Sequence, residues 1–226
     1  MSPATESIKE AFDLLDEEIK KSYKIYPARH EDQTDNIFDG GVTCAITCVS
    51  MLLQTYNLPE YGGAIECGPK EEDRILKDIR ANLQKYREAG VKLGIGSAAK
   101  PPTEQGLRTN FIFLKWYVQQ KYGVELVYSS CRKVQLNRLI EGIEAPFIMS
   151  TSNALTSFGH IVLARGRVIT EDGLSLIAND PYGVYPYRVK KSGEEVVYPA
   201  SRFPTNGGDK QPATYHMLSM GNYPKK

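Results

Sequence analysis

Residues 43–56 have the sequence TCAITCVSMLLQTY, which is apolar on most faces of a helix. Gly40 and Gly41 precede this run, and Asn57-Leu58-Pro59 follows it. Such residues are typical of helix boundaries, and a helix that is apolar on most of its faces must be buried. The segment therefore predicts a buried helix that begins close to Cys44.

Two further helices are predicted later in the N-terminal half of the chain. Residues 71–89 are rich in Glu, Lys, Arg, Leu and Ile, and Gly90 is placed to cap the C-terminus of a helix there. Residues 110–121 have helical periodicity and are followed by Gly123. Between them, residues 97–106 contain two adjacent prolines, which indicates a loop.

The first residues are expected to stand apart from the main domain. Residues 6–24 carry apolar side chains at spacings of three and four, with charged residues between them. Because this apolar stripe is narrow, we expect residues 1–24 to form an N-terminal helical arm. Residues 25–226 are then expected to form a single domain.

Beyond Gly123 the pattern changes to short apolar or alternating runs separated by turn residues, which is typical of strands. Five such runs occur, at residues 124–128, 146–150, 161–164, 174–178 and 214–220. A short helix is predicted over 134–143, and residues 170–173 (TEDG) have the composition of a hairpin turn. Helices followed by an antiparallel sheet indicate an α+β fold, with the buried helix packed on the sheet.

Composition excludes several classes of function. The 28 Lys and Arg residues against 27 Asp and Glu residues leave a formal net charge of +1, which gives no overall attraction to nucleic acids or anionic membranes. The apolar runs fall far short of the roughly 20 residues that cross a bilayer, so no membrane insertion is expected. The polar N-terminus has no signal-peptide core, so we expect synthesis in the cytoplasm. Four cysteines are too few for a disulfide scaffold.

Cys44 is the candidate nucleophile. It lies at the start of the apolar helix, where the positive end of the helix dipole favours the thiolate form. Cys48 lies one turn later, and its simplest interpretation is a small core residue. A structural zinc site is not predicted, because Cys67 and Cys131 stand alone and lack the paired spacing that such sites need.

A base and an orienting group for this nucleophile can be sought in the strand region. His160 follows Gly159 and precedes the predicted strand 161–164, and Asp180 ends the next strand before Pro181. Taken alone, an Asp before Pro is at least as often a simple turn residue. A turn centred near residues 171 and 172 would place Asp180 opposite Leu163, about three residues from His160, unless a bulge at Gly166 or a longer turn reduces the offset.

Gln33 is the candidate donor to an oxyanion. It lies eleven positions before Cys44, in the loop that leads to the buried helix, so its amide could lie beside the Cys44 backbone N–H. Taken alone, a loop Gln is more often a surface residue. No cofactor is predicted, because the glycine run at residues 94–99 is followed by Lys-Pro-Pro and not by a helix that could face pyrophosphate.

Together these motifs resemble the papain-like cysteine peptidases of the bacteriocin-processing type, which act on double-glycine leader peptides. The resemblance extends from about Gln33 to His216. Its motifs are Gln33 with Asp35 and Asn36, Cys44 with Thr47 and Met51, the SFGHIV run at 157–162, and the NDPYG run at 179–183. Ala45-Ile46 and Cys48 depart from the residues usual in that family.

This resemblance implies a papain-like fold, with Cys44 as nucleophile, His160 as general base and acid, Asp180 as orienter and Gln33 as oxyanion donor. The implied reaction is hydrolysis of a peptide or amide bond through a thioester. The favoured substrate is a cell-wall (peptidoglycan) peptide, as for phage-type endolysins, which would require release by a separate route. The alternatives are an intracellular processing, deamidating or amide-transfer enzyme with the same triad, and a non-catalytic binding module.

Overall fold

The computed structural model describes residues 23–36, 42–63, 65–152, 159–183, 193–206 and 212–221. The α-helices in these ranges are α1 (Cys44–Tyr56), α2 (Glu71–Ala81), α3 (Leu83–Lys92), α4 (Glu104–Thr109), α5 (Phe111–Tyr122) and α6 (Lys133–Glu141). The strands are β1 (Lys24–Ile25), β2 (Leu126–Cys131), β3 (Phe147–Ser150), β4 (Ile161–Thr170), β5 (Gly173–Asn179), β6 (Val196–Pro199) and β7 (Tyr215–Met220). The predicted arm helix lies almost entirely outside the described residues, and its last position, Lys24, is in β1.

The strands form one antiparallel sheet in the order β2-β7-β3-β4-β5-β6, and β1 also pairs with β4. Helices α1 to α5 precede β2 in the chain, and α6 is the only described α-helix that lies between later strands. The predicted α+β class, with an N-terminal-half helix packed on an antiparallel sheet, is therefore confirmed.

The sheet is covered on both faces because its residues alternate between two apolar clusters. In β4, Ile161 and Leu163 pack with residues of α1, α2, α4 and α5, whereas Val162 and Ala164 pack with residues of α6. This two-sided burial explains why β4 begins with a continuous apolar run. Among the described residues, no helix is both long enough and apolar enough to span a membrane.

Helix α1 lies in the larger cluster, as its sequence predicts. Almost every residue after Cys44 is buried, and the helix packs on β4 and β3. The Cys48 thiol donates to the Ile161 backbone oxygen at 3.4 Å. That contact joins the second turn of α1, which begins at Cys44, to Ile161, the residue directly after His160.

The helix predicted over 71–89 is divided into two helices, α2 and α3. The prediction that Gly90 caps its C-terminus is wrong. Asn82 separates α2 from α3, and its side-chain amide donates to the Asp78 backbone oxygen at 3.1 Å, a local bond that competes with helix continuation. Gly90 lies inside α3, where a Cβ would be 2.8 Å from a Pro102 side-chain carbon and 2.9 Å from one of Leu107. This glycine allows close packing of α3 on the segment that leads into α4.

Candidate active site

Cys44 is the first residue of α1, and its side chain is partly exposed. The backbone N–H groups of the first helical turn have no helical partners and give this end a partial positive charge. Because the rest of α1 is buried and held on the sheet, the thiol is presented from a rigid position.

His160 lies directly before β4 and is 6% exposed. The Thr151 backbone N–H and hydroxyl both donate to the His160 carbonyl, at 2.8 and 3.0 Å. Gly159 before it has φ +79°, a conformation that favours glycine. The His160 backbone is thus held by Thr151 at its carbonyl and by the turn at Gly159 before it.

The His160 ring bonds to both proposed partners. Its Nε2 atom lies 2.8 Å from Asp180 Oδ1, which leaves Nδ1 for the hydrogen bond with the Cys44 side chain. Burial alone lowers the pKa of His160, but the Asp180 carboxylate and the bond with Cys44 outweigh burial and raise the pKa to about 10. The imidazole is therefore protonated at neutral pH, and this cation stabilises a thiolate beside it.

Asp180 follows β5 and is 0% exposed. Besides His160, it accepts hydrogen bonds from the Tyr182 backbone N–H at 2.8 Å and from the Tyr198 hydroxyl. Burial and the carboxylate raise the pKa of Tyr198, so its hydroxyl stays a donor. These bonds fix the carboxylate in one orientation. No local pattern in the sequence identifies Tyr198, which comes from β6, a strand that was not predicted.

The predicted offset between His160 and Asp180 is partly removed by a bulge. Ile169 pairs with Leu174, as the predicted turn requires, but a register shift between Ala164 and Gly166 follows. Leu163 consequently pairs with Asn179 and not, as predicted, with Asp180. Asp180 moves one residue nearer to His160, and the side chains span the remaining distance.

Gln33 is 2% exposed and begins a short 3-10 turn, Gln33–Asp35. Its backbone N–H donates to the Pro181 oxygen at 2.7 Å, directly after Asp180. At the other end of the turn, the Asn36 side chain donates to the hydroxyls of Thr43 and Thr47, at 2.7 and 3.1 Å. The structure thus anchors this loop to both the Asp180 turn and the first turn of α1.

A second anchor of the same loop was missed by the sequence analysis. The His30 Nε2 atom lies 3.1 Å from the Asp180 backbone oxygen. Gly193 packs against both groups, since a Cβ there would be 2.1 Å from the Asp180 oxygen and 2.9 Å from His30 Nε2. Only glycine fits at residue 193, because a side chain there would collide with the Asp180 backbone oxygen and with the His30 ring.

The other three thiols are in different environments from Cys44. Burial raises the pKa of Cys48 well above its ordinary value, raises that of Cys67 to about 11, and raises that of Cys131. Cys48, Cys67 and Cys131 therefore remain neutral thiols near pH 7. In the part of the chain that the structure describes, no group of three His, Cys, Asp or Glu side chains is arranged to hold a metal ion.

Replacing Tyr198 by phenylalanine should test the bond that holds Asp180. We expect a loss of about tenfold in kcat with little change in KM, because one donor to the orienting carboxylate is lost while the ring packing stays. Steady-state kinetics would measure this. Tyr215→Phe, a change at another buried tyrosine whose hydroxyl donates to the Pro204 oxygen, is the control. An equal loss in both variants would contradict a specific role for Tyr198.

Comparisons with known proteins add little to this geometry. No protein-family model matches the chain, and no curated protein matches it. Among solved structures, it is similar to the crystal structure of UfSP from C. elegans, at 14% identity and a TM-score of 0.44. The match covers 84% of this chain and 31% of the other, so this chain spans about a third of that protein's length. A likeness this weak does not transfer fold or function.

Proposed function

We propose that this protein is a papain-like cysteine peptidase. The observation that carries the proposal is the chain of contacts from Cys44, at the N-terminus of a buried helix, through His160 to the buried carboxylate of Asp180. A nucleophile, a base within hydrogen-bond reach and a third group that orients the base are the parts that thiol-dependent acyl transfer requires. The motif resemblance described above supports the same conclusion.

In the proposed reaction, the Cys44 thiolate attacks the carbonyl carbon of an amide, and the carbonyl oxygen becomes an oxyanion. His160, protonated at the start, gives its proton to the leaving nitrogen as the C–N bond breaks, which leaves a thioester on Cys44. His160 then takes a proton from water as the water attacks the thioester. Collapse of this second intermediate releases the acid, and the proton on His160 restores the ion pair with the thiolate.

The Gln33 amide and the Cys44 backbone N–H are the proposed donors to the oxyanion. Gln33→Ala should therefore lower kcat on the order of 10²- to 10³-fold, the usual cost of losing one such donor. The melting temperature should change little. Kinetics and thermal unfolding of the same preparation would measure both, with Thr34→Ala, a change at an exposed residue of the same turn, as a control that should keep kcat near the wild-type value. A fall in kcat of less than about threefold would remove Gln33 from the site.

The proposed substrate is a peptide, and a cell-wall peptide is the first candidate, as the resemblance suggests. Purified protein would be incubated with peptidoglycan and, separately, with casein, and new amines would be followed by mass spectrometry. Cys44→Ser is the inactive control. Cleavage of casein alone would favour an intracellular processing enzyme, and release of ammonia without chain cleavage would indicate a deamidase. No product from any substrate would favour a binding module. Cytoplasmic synthesis is also proposed, and cell fractionation would test it.

A further inference from the structure

The loop that carries Gln33, here residues 29–36, has a second set of contacts on the side away from Asp180. Glu31 lies two residues before Gln33, and its Oε1 atom accepts hydrogen bonds from the Gln54 side chain at 2.5 Å and from the Lys70 backbone N–H at 3.2 Å. Glu31 therefore ties the Gln33 loop to α1 and to the residue before α2.

Glu72, in α2, contacts the same part of α1 as Glu31 does. It is 1% exposed, and its Oε2 atom accepts a hydrogen bond from the Ser50 hydroxyl at 2.9 Å. Gln54 donates both to Ser50, at 3.0 Å, and to Glu31. The Ser50–Gln54 pair on α1 thus brings two carboxyl groups from distant parts of the chain together.

The Glu31 and Glu72 carboxyl groups are also close enough for a hydrogen bond between them, and the buried Glu31 Oε2 atom has no donor among the described residues. Two ionised carboxylates offer only acceptors, so this bond needs a proton on one of them. We infer that Glu31 and Glu72 share one proton and, as a pair, position the Gln33 loop for oxyanion binding. This inference rests on the proposed function, because it assigns the pair to the same active site.

Burial and the Glu31 carboxyl group raise the pKa of Glu72 to about 8. The other charged or titratable groups that face the pair are Arg29, His30, Asp32, Asp35, Cys67 and Lys70, which line one cavity of about 630 Å³ with it. From α2, Glu71 and Asp73 flank Glu72 in sequence, and Lys70 is already paired with Asp35 at 3.1 Å. The cavity is open, so solvent can take the proton from the pair.

Loss of this proton should weaken oxyanion binding without changing the thiol. Above pH 8 the two carboxylates would repel each other, and the Gln33 loop would lose its anchor on α1 and α2. Cys44 and His160 do not contact the pair, and the pKa of His160 is about 10. Activity should therefore fall in two separate alkaline steps, the first from the pair and the second from His160.

The Glu72→Gln variant tests this, since glutamine keeps the shape and donor capacity of the protonated acid at every pH. In the wild type, kcat/KM should fall about tenfold between pH 7 and pH 9, as expected for one group of pKa about 8. In Glu72→Gln the fall in kcat/KM between pH 7 and pH 9 should stay below about twofold. Glu71→Gln, a buried neighbour that contacts Gly68 and Tyr122, should keep the wild-type ratio. An equal fall in kcat/KM between pH 7 and pH 9 in all three proteins would overturn the inference.

Alkylation of Cys44 separates positioning from thiol chemistry, because iodoacetamide reacts without forming an oxyanion. Its rate should not decrease between pH 7 and pH 9 in any of these proteins. A wild-type rate that fell with kcat/KM would overturn the positioning role, since the pair would then act on the nucleophile itself.

Two measurements need no substrate, so they still decide the inference if the proposed function fails. Glu72 has a raised pKa, so the folded state binds more protons than the unfolded state between about pH 4.5 and pH 8. The free energy of unfolding of the wild type should therefore decrease as the pH rises through that range. In Glu72→Gln the decrease should be smaller. Hydrogen exchange at Gln33–Asp35 should be faster in the wild type than in Glu72→Gln at pH 9. Parallel stability curves, or equal exchange, would overturn the inference.

Discussion

Replacing His160 by alanine is expected to lower kcat on the order of 10⁶-fold, the size of loss seen when a triad base is removed. In the proposed mechanism, the variant loses both the cation beside Cys44 and the acid that protonates the leaving nitrogen. Hydrolysis of whichever peptide proves to be a substrate would measure the loss, with circular dichroism to show that the variant folds.

His216→Ala is the matched control for this change. His216 is partly buried, and its Nδ1 atom lies 2.8 Å from the Tyr128 hydroxyl in the sheet. Its loss should leave kcat within about twofold of the wild type. If His216→Ala were as inactive as His160→Ala, the assignment of His160 as the base would be wrong.

Asp180→Asn should cost less than His160→Ala, on the order of 10²- to 10⁴-fold in kcat, because Asp180 orients the ring and does not transfer a proton. An asparagine can still accept from His160 and from the Tyr182 N–H. It lacks the charge that raises the pKa of His160, so the alkaline limit of activity should move to lower pH. The pH profile of kcat/KM measures this shift. Equal losses in the two variants would contradict this division of roles.

Local patterns in the sequence predict most of the elements that carry the site. The apolar run of α1 fixes the position of Cys44, and the ends of β4 and β5 fix His160 and Asp180, because each lies at the boundary of a periodic segment. The single turn between β4 and β5 predicts that His160 and Asp180 share one end of a hairpin. The fold class follows from the same order of elements.

The errors concern features that depend on contacts between distant residues. Strand β1 has only two residues and β6 ends in a proline, so neither is recognised in the sequence, and each is a strand through its pairing with β4 or β5. The bulge that the sequence allowed at Gly166 lies between Ala164 and Gly166, and the Arg165 side chain there donates to the Tyr26 and Asn179 oxygens at 2.9 and 3.3 Å. Neither partner is close to Arg165 in sequence, so the sequence could offer this bulge only as an alternative to a longer turn.

The supporting contacts of the site have the same origin. Tyr198 and the Glu31–Glu72 pair meet their partners only through tertiary structure, and each looks unremarkable in its own segment. They surround the residues that the motifs predicted, and they explain how a loop and a turn hold functional groups in fixed positions. The sequence thus points to the proposed reacting groups more readily than to the residues that position them.

Alkylation of the native protein should distinguish Cys44 from the other three thiols. Near pH 6, His160 is protonated and lies beside Cys44, whereas burial raises the pKa of Cys48, Cys67 and Cys131. A thiol of pKa about 11 is only about 10⁻⁵ thiolate at that pH. Substoichiometric iodoacetamide should therefore label Cys44 first, with activity lost in step with the label, as peptide mapping would show.

Two variants make this test specific to the proposed ion pair. His160→Ala removes the imidazolium, and an ordinary cysteine is only about 0.3% thiolate at pH 6, so labelling of Cys44 should slow on the order of 10²-fold. Cys48→Ala removes a buried thiol that bonds to the Ile161 oxygen, and it should leave the labelling rate nearly unchanged. Labelling of Cys67 or Cys131 first, with activity lost in proportion, would show that the nucleophile is misassigned and that the peptidase proposal is wrong with it.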